Sequence, residues 1–227
     1  VVRWALAKGR ACIFAECGLG KTPMQLSWAH QVHLHTGGKV LILAPLSVAD
    51  QTKREAEKFH YNAKVCEKQE DCIDGINITN YEKLDKFVAN EFVGVVLDES
   101  SILKSYTGKV RTSIIENFQN VPYKLACTAT PAPNDYMELG NHSEFCGVMT
   151  RSEMLSMFFV HDGGQTSKWR LKGHAKDVFW QWMASWSVFI DNPSNLGYDG
   201  TDYELHNLNI HEIIVDGDEP ITESLTL

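Results

Sequence analysis

Residues 11–22 read Ala11-Cys12-Ile13-Phe14-Ala15-Glu16-Cys17-Gly18-Leu19-Gly20-Lys21-Thr22, and the reading of this stretch decides the fold. The apolar residues to Phe14 form a buried strand, the glycine-rich segment a turn, and the residues from Thr22 onward a helix. A strand feeding such a turn and helix is the arrangement that cradles nucleotide phosphates. Gly18 and Gly20 allow backbone conformations that aim successive N–H groups into one concavity, where they hold an anion. The candidate phosphate site is therefore Glu16, Cys17, Gly18, Leu19, Gly20, Lys21 and Thr22. Lys21 adds a point charge for the β- and γ-phosphates, and the Thr22 hydroxyl is placed to hold Mg²⁺. The helix adds the positive end of its dipole. The strict form of this loop carries Gly where the chain has Ala15, so the assignment needs support from elsewhere.

That support lies downstream. Val93-Gly94-Val95-Val96-Leu97 is a buried-strand run ending in Asp98-Glu99-Ser100-Ser101. A strand that delivers two adjacent carboxylates at its C-terminal end suits Mg²⁺-assisted phosphoryl chemistry. Asp98 would hold the metal through its water shell, and Glu99 would orient or deprotonate the attacking water. Taken alone, Asp-Glu after a strand also reads as a helix N-terminus with favourable charges. Paired with the glycine loop, the catalytic reading prevails, and the pair implies a nucleotide phosphate with Mg²⁺.

Strand and helix patterns alternate along the chain, which predicts an α/β fold with a mostly parallel sheet and helices on both faces. A first helix is broken by Gly9, and the helix Pro23 to His35 is stopped by Gly37-Gly38. Strands are expected at 11–15, 39–44, 62–67, 75–80, 93–97 and 123–128, with helices at 48–59, 82–89 and 107–118.

Length and composition narrow the class. At 227 residues the chain suffices for one large domain, or one domain with an appendage. No apolar run approaches a membrane span, and no signal peptide is visible. The six cysteines show no Cys-x-x-Cys pair, which suggests free thiols in a reducing compartment. His30, His33 and His35 cluster without partner carboxylates at helical spacing, which argues against zinc. The net charge of −8 argues against a generic nucleic-acid-binding module, although a motor can confine its basic groups to one face. The chain begins inside an expected helix without an initiating Met and so reads as a piece of something longer.

The blocks Ala15–Thr22, Asp98-Glu99-Ser100-Ser101 and Thr128-Ala129-Thr130-Pro131 resemble motifs I, II and III of superfamily 2 helicases, in order and spacing. The resemblance is closer to Swi/Snf-type DNA translocases and to their phage and bacterial members, which implies the cytoplasm of a bacterial or phage-infected cell. Leu41-Ile42-Leu43-Ala44-Pro45-Leu46-Ser47-Val48 looks like their motif Ia, and Ile78-Thr79-Asn80-Tyr81-Glu82-Lys83-Leu84 like motif Ib. The resemblance covers about residues 10–145. It implies a RecA-like P-loop NTPase lobe that hydrolyses ATP and walks along duplex DNA, with a second RecA-like lobe as partner. It also implies phosphate contacts for Ser47, Thr79 and Asn80, and coupling of nucleotide state to DNA grip for Thr128 and Thr130. Each has a plainer reading: Ser47 as a helix N-cap, Asn80 as a turn residue, the threonines as strand formers before Pro131.

Departures from the family pattern matter. Ser101 stands where relatives carry His, which puts the link from the carboxylates to motif III in question, and Ala129 replaces a frequent Gly. The adenine-reading Gln motif is expected upstream of residue 1, and the arginine finger on the second lobe. Rival functions are the motor subunit of a restriction-type system and a non-hydrolysing DNA-binding regulatory module.

Residues 1–140 thus form the expected lobe, 141–205 a helix-and-strand insertion with the last strand, and 206–227 a passage toward the second lobe. Lys168, Arg170, Lys172 and His174 alternate with apolar residues, so a strand there would present a phosphate-tracking stripe. A solvated edge strand explains the same pattern. Phe179, Trp180, Trp182, Met183 and Trp186 have helical spacing that favours core packing over base stacking. Trp186 to Ile190 reads as the last strand.

Overall fold

The computed structural model describes residues 1–104, 108–161, 169–203 and 211. Six strands precede the insertion: β1 (Arg10–Ala15), β2 (Lys39–Ala44), β3 (Ala63–Val65), β4 (Ile76–Asn80), β5 (Phe92–Asp98) and β6 (Tyr123–Thr128). A short antiparallel pair follows, β7 (Phe159–His161) with β8 (Trp169–Leu171), and then β9 (Ser187–Ile190). All but that pair join one seven-stranded sheet in the order β3-β4-β2-β5-β6-β1-β9, parallel throughout.

The strand sequences explain this sheet. Cys12, Phe14, Leu41, Leu43, Val95 and Leu97 lie in one apolar core, whereas Ala11, Ile13, Ala15, Val40, Ile42 and Val96 lie in another. Alternate side chains of each strand thus enter opposite cores, so a strand buried on both faces reads as an unbroken apolar run. Helices α1 (Val2–Lys8), α2 (Lys21–Thr36) and α3 (Ala49–Lys58) supply the core containing Ile13. Helices α4 (Lys109–Asn117), α5 (Leu139–Cys146), α6 (Arg151–Phe158) and α7 (Lys176–Trp186) supply the core containing Phe14. In α7 the residues Phe179, Met183 and Trp186 form the buried stripe, as core packing requires.

Connectivity positions the site. The chain passes from β1 to β2 and later fills the gap between them with β5 and β6. Because every strand is parallel, the turns after β1, β2, β4, β5 and β6 all emerge at one edge of the sheet. The ends of β5 and β6 therefore lie beside the loop after β1, although far from it in sequence.

Two expectations are corrected. Residues 82–89 do not form an α-helix; a 3₁₀ segment runs Tyr81–Lys86, and Tyr81, Leu84 and Phe87 are buried at the three-residue period of that helix type. The cationic stripe through 168–174 does not form, because β8 ends at Leu171 and Gly173–Ala175 is a 3₁₀ turn. Lys168 and the passage 206–227, apart from His211, lie outside the described residues.

Lys124 at the start of β6 is 2% exposed, and its ammonium donates to the carbonyls of Gln119 (3.2 Å) and Phe145 (2.9 Å), with no carboxylate partner among the described residues. Burial, and then the neighbouring Arg10 charge, lower its pKa from 10.5 to about 8. The folded state therefore releases this proton at lower pH than the unfolded chain, and stability rises with pH between the two values. Relative to Lys124→Met, the protein should gain roughly 2 kcal/mol in denaturant unfolding between about pH 7.5 and 9.5. An equal pH response in the two proteins would refute the assignment.

Candidate nucleotide site at the carboxyl edge of the sheet

The loop after β1 takes the required shape because of two residues. Gly18 and Gly20 have φ of 81° and 74°, the left-handed region that costs L side chains roughly 1–2 kcal/mol. Gly20 is the N-cap of the sixteen-residue α2 and provides no side-chain cap, so the first N–H groups of the helix are free to bind an anion. Lys21 Nζ donates back across the loop to the carbonyls of Ala15 (3.0 Å) and Glu16 (3.3 Å). Ala15 is the buried last residue of β1 and does not adopt a positive φ. No glycine is needed there, which accounts for the departure from the strict loop pattern.

Asp98 ends β5, 4% exposed, and its Oδ1 accepts from Gln25 Nε2 at 2.7 Å and from the Glu99 N–H at 3.1 Å. Its backbone carbonyl accepts from the Tyr81 hydroxyl at 2.6 Å. Burial pushes the Asp98 carboxyl above its ordinary range, opposed by the Gln25 bond. A nearby divalent cation would favour the carboxylate form. Glu99 has φ of 50°, an uncommon conformation for a non-glycine residue and one that concentrates at functional sites. Its Oε2 accepts from the Thr128 hydroxyl at 3.3 Å, and that hydroxyl accepts from the Thr130 N–H at 3.1 Å. The end of β6 thus touches Glu99 directly, without a histidine at position 101.

Cys17, Gly18, Gly20, Lys21, Thr22, Asp98 and Glu99 line one cleft of about 420 Å³, together with Val48, Gln51 and Glu55. The residues fit a magnesium nucleotide: free N–H groups and a lysine for phosphates, and a hydroxyl and a buried carboxylate for the metal. Two expected loop residues play other parts. The Glu16 carboxylate accepts from the Cys17 N–H at 2.9 Å and lines a neighbouring cleft, while Leu19 packs against the core.

The expected DNA contacts divide. Ser47 is exposed in the turn after β2, and α3 has its N-cap at Val48 with no side-chain bond, so Ser47 is not used as a cap. Thr79 and Asn80 end an interior strand and are 0% and 4% exposed, and among the described residues Thr79 Oγ1 and Asn80 Oδ1 have no hydrogen-bond partner. Arg170 is exposed on β8. Lys172 is turned back, its ammonium 2.9 Å from the carbonyls of Ser156 and Met157 at the end of α6. Thr130 is exposed and Thr128 buried. Sequence reading missed Gln25 and Tyr81 as supports of Asp98. Gln25 lies four residues after Lys21 and so on the same face of α2, a signal that was available.

This sheet and loop define the class: an α/β lobe with a seven-stranded parallel sheet, of the RecA-like fold seen in helicase cores. Over residues 3–133, more than half its length, the chain matches the ResIII model, type III restriction enzyme, res subunit; it belongs to that family. It is similar to the SWI2/SNF2 ATPase core of Sulfolobus solfataricus in complex with dsDNA, at 20% identity and TM-score 0.68, covering 83% of this chain and 42% of that one. It is similar to the Hef helicase domain of Pyrococcus furiosus at 20% identity and TM-score 0.54, covering 64% and 35%. The UvsW helicase of bacteriophage T4 matches at 17% identity and TM-score 0.51, covering 66% and 57%. The chain therefore spans less than two thirds of each of these structures, and at such identities the likeness is one of fold. No curated protein matches the chain in sequence. Among the described residues no helix is long and apolar enough to cross a membrane.

Gln25→Leu should leave Asp98 with only the Glu99 N–H. Hydrogen bonds to charged groups are worth about 1.5–3 kcal/mol, so the Mg²⁺ concentration needed for half-maximal binding of a fluorescent ATP analogue should rise roughly tenfold or more. An unchanged Mg²⁺ requirement would show that Gln25 does not set the position of Asp98.

Proposed function

We propose that this chain is the ATP-binding and ATP-hydrolysing lobe of a DNA helicase or translocase. The observation that carries the reading is the convergence of Lys21, Thr22, Asp98 and Glu99 on one cleft, with Thr128 bonded to Glu99. The loop N–H groups and Lys21 hold the phosphates, Thr22 and Asp98 hold the metal, and Glu99 orients and deprotonates the attacking water. Mg²⁺, when bound, neutralises charge on the phosphate oxygens. Thr128 and Thr130 carry the state of Glu99 into the loop after β6.

Duplex DNA is the proposed partner. The crossing of several loops at one edge of the sheet supports this, as does the likeness to a SWI2/SNF2 core whose structure contains dsDNA. Exposed Ser47 and Arg170 are the proposed phosphate contacts on the described surface, with Lys168 close to Arg170 in sequence. Residues 1–140 carry the nucleotide site, 141–205 add the flanking helices and β9, and 206–227 lead toward a second RecA-like lobe. That lobe would supply an arginine worth about 10³–10⁵ in rate, so this chain alone should turn over ATP very slowly. The ResIII description favours one second reading, the motor subunit of a restriction-type system.

Mg-ATP turnover of the chain together with its second lobe, with and without duplex DNA, tests the proposal. Turnover should rise with DNA, and Glu99→Gln should lower it roughly 10²–10⁴-fold. Turnover indifferent to DNA would discard the translocase, and ATP-dependent cleavage of the DNA would establish the restriction reading.

A further inference from the structure

The turn that carries the two carboxylates is gripped from behind by α5. Ser100 and His142 have no exposed surface, and Ser100 Oγ lies 3.0 Å from His142 Nε2. The preceding residue, Asn141, is equally buried and donates from Nδ2 to the Leu103 carbonyl at 2.6 Å. Consecutive residues of α5 therefore hold both ends of the 3₁₀ turn Ser100–Lys104, which begins one residue after Glu99. The His142 ring also meets Phe14 of β1 edge-on, with centroids 5.2 Å apart, one residue from the strand's end at the phosphate loop. Burial lowers the His142 pKa to about 4, so the ring is neutral near pH 7 and carries a hydrogen on one of its two nitrogens.

Glu99 needs such support. Its backbone is left-handed, and conformations of that kind persist only where the surroundings over-determine them. Thr128 touches the Glu99 carboxylate on one side, and nothing in the Glu99 side chain itself fixes the turn on the other. The grip of α5 does so, and it links the turn to β1.

We propose that His142, through its hydrogen bond to Ser100, is a positioning residue for Glu99, holding the turn so that the carboxylate meets the attacking water. This rests on the reading of the chain as an ATPase with Glu99 serving the water. The bond is spent on geometry during turnover rather than on binding ATP, so its loss is felt in kcat and not in KM.

The test is steady-state ATPase of the chain with its second lobe, comparing Ser100→Ala, His142→Leu, the double variant, His142→Gln and Glu99→Gln. Both single variants should lower kcat about tenfold with KM for ATP within about twofold, and the double variant should be no worse than either single one. His142→Gln, whose side-chain amide reaches the Nε2 position, should recover kcat to within about threefold. Ser100→Ala removes a single oxygen and keeps the comparison interpretable if His142→Leu folds poorly. A kcat equal to that of the unsubstituted protein in Ser100→Ala, with Glu99→Gln still inactive, would overturn the proposal and leave the ATPase intact. Lowered thermal stability with an additive double variant and no recovery by glutamine would also overturn it, leaving a packing role. Absence of turnover in the unsubstituted protein would overturn the proposal together with the reading beneath it.

Discussion

The hydrogen bond from Gln25 to Asp98 joins the helix that follows the phosphate loop to the strand that delivers the carboxylates. Both side chains are buried, and a buried carboxylate is costly unless its oxygens are satisfied. Two donors on Oδ1 offset part of that cost, yet burial still raises the Asp98 pKa. The site is thus built with a residual demand for positive charge, which a bound metal would meet. The Tyr81 hydroxyl on the Asp98 carbonyl ties the same point to the segment after β4, so three elements converge on one residue.

Around this point the sheet sets distances that no local segment could set. β5 and β6 enter between β1 and β2, which makes Asp98 and Thr128 neighbours of the glycine loop. Thr128 then contacts Glu99, while α5 grips the turn behind it through Asn141 and His142. Glu99 sits between these supports in a conformation that few residues adopt, so its backbone is a product of its surroundings. Ser101 leaves the contact between the carboxylates and β6 in place.

Much of this was legible in the residues, for physical reasons that differ from element to element. The phosphate loop follows from Gly18 and Gly20, because left-handed backbone is a local requirement that only particular residues meet cheaply. The buried strands follow from unbroken apolar runs such as Val40 to Ala44, and the α7 core stripe from its period. The segment after β4 misled because its three-residue spacing of Tyr81, Leu84 and Phe87 belongs to a 3₁₀ helix, close in period to an α-helix. The stripe through Arg170 misled because alternation shows which face a strand would present but does not set the length of the strand.

The sequence by itself determined the class of fold, the phosphate loop and the strand ending in Asp98-Glu99, since each rests on interactions within a few residues. Only the tertiary structure decided that Gln25, Tyr81, Asn141 and His142 support the carboxylates. It also decided that Thr79 and Asn80 are buried at the end of an interior strand and that Lys172 caps a helix. Such roles depend on which strands become neighbours and on what water is excluded, and both are settled when distant segments pack together.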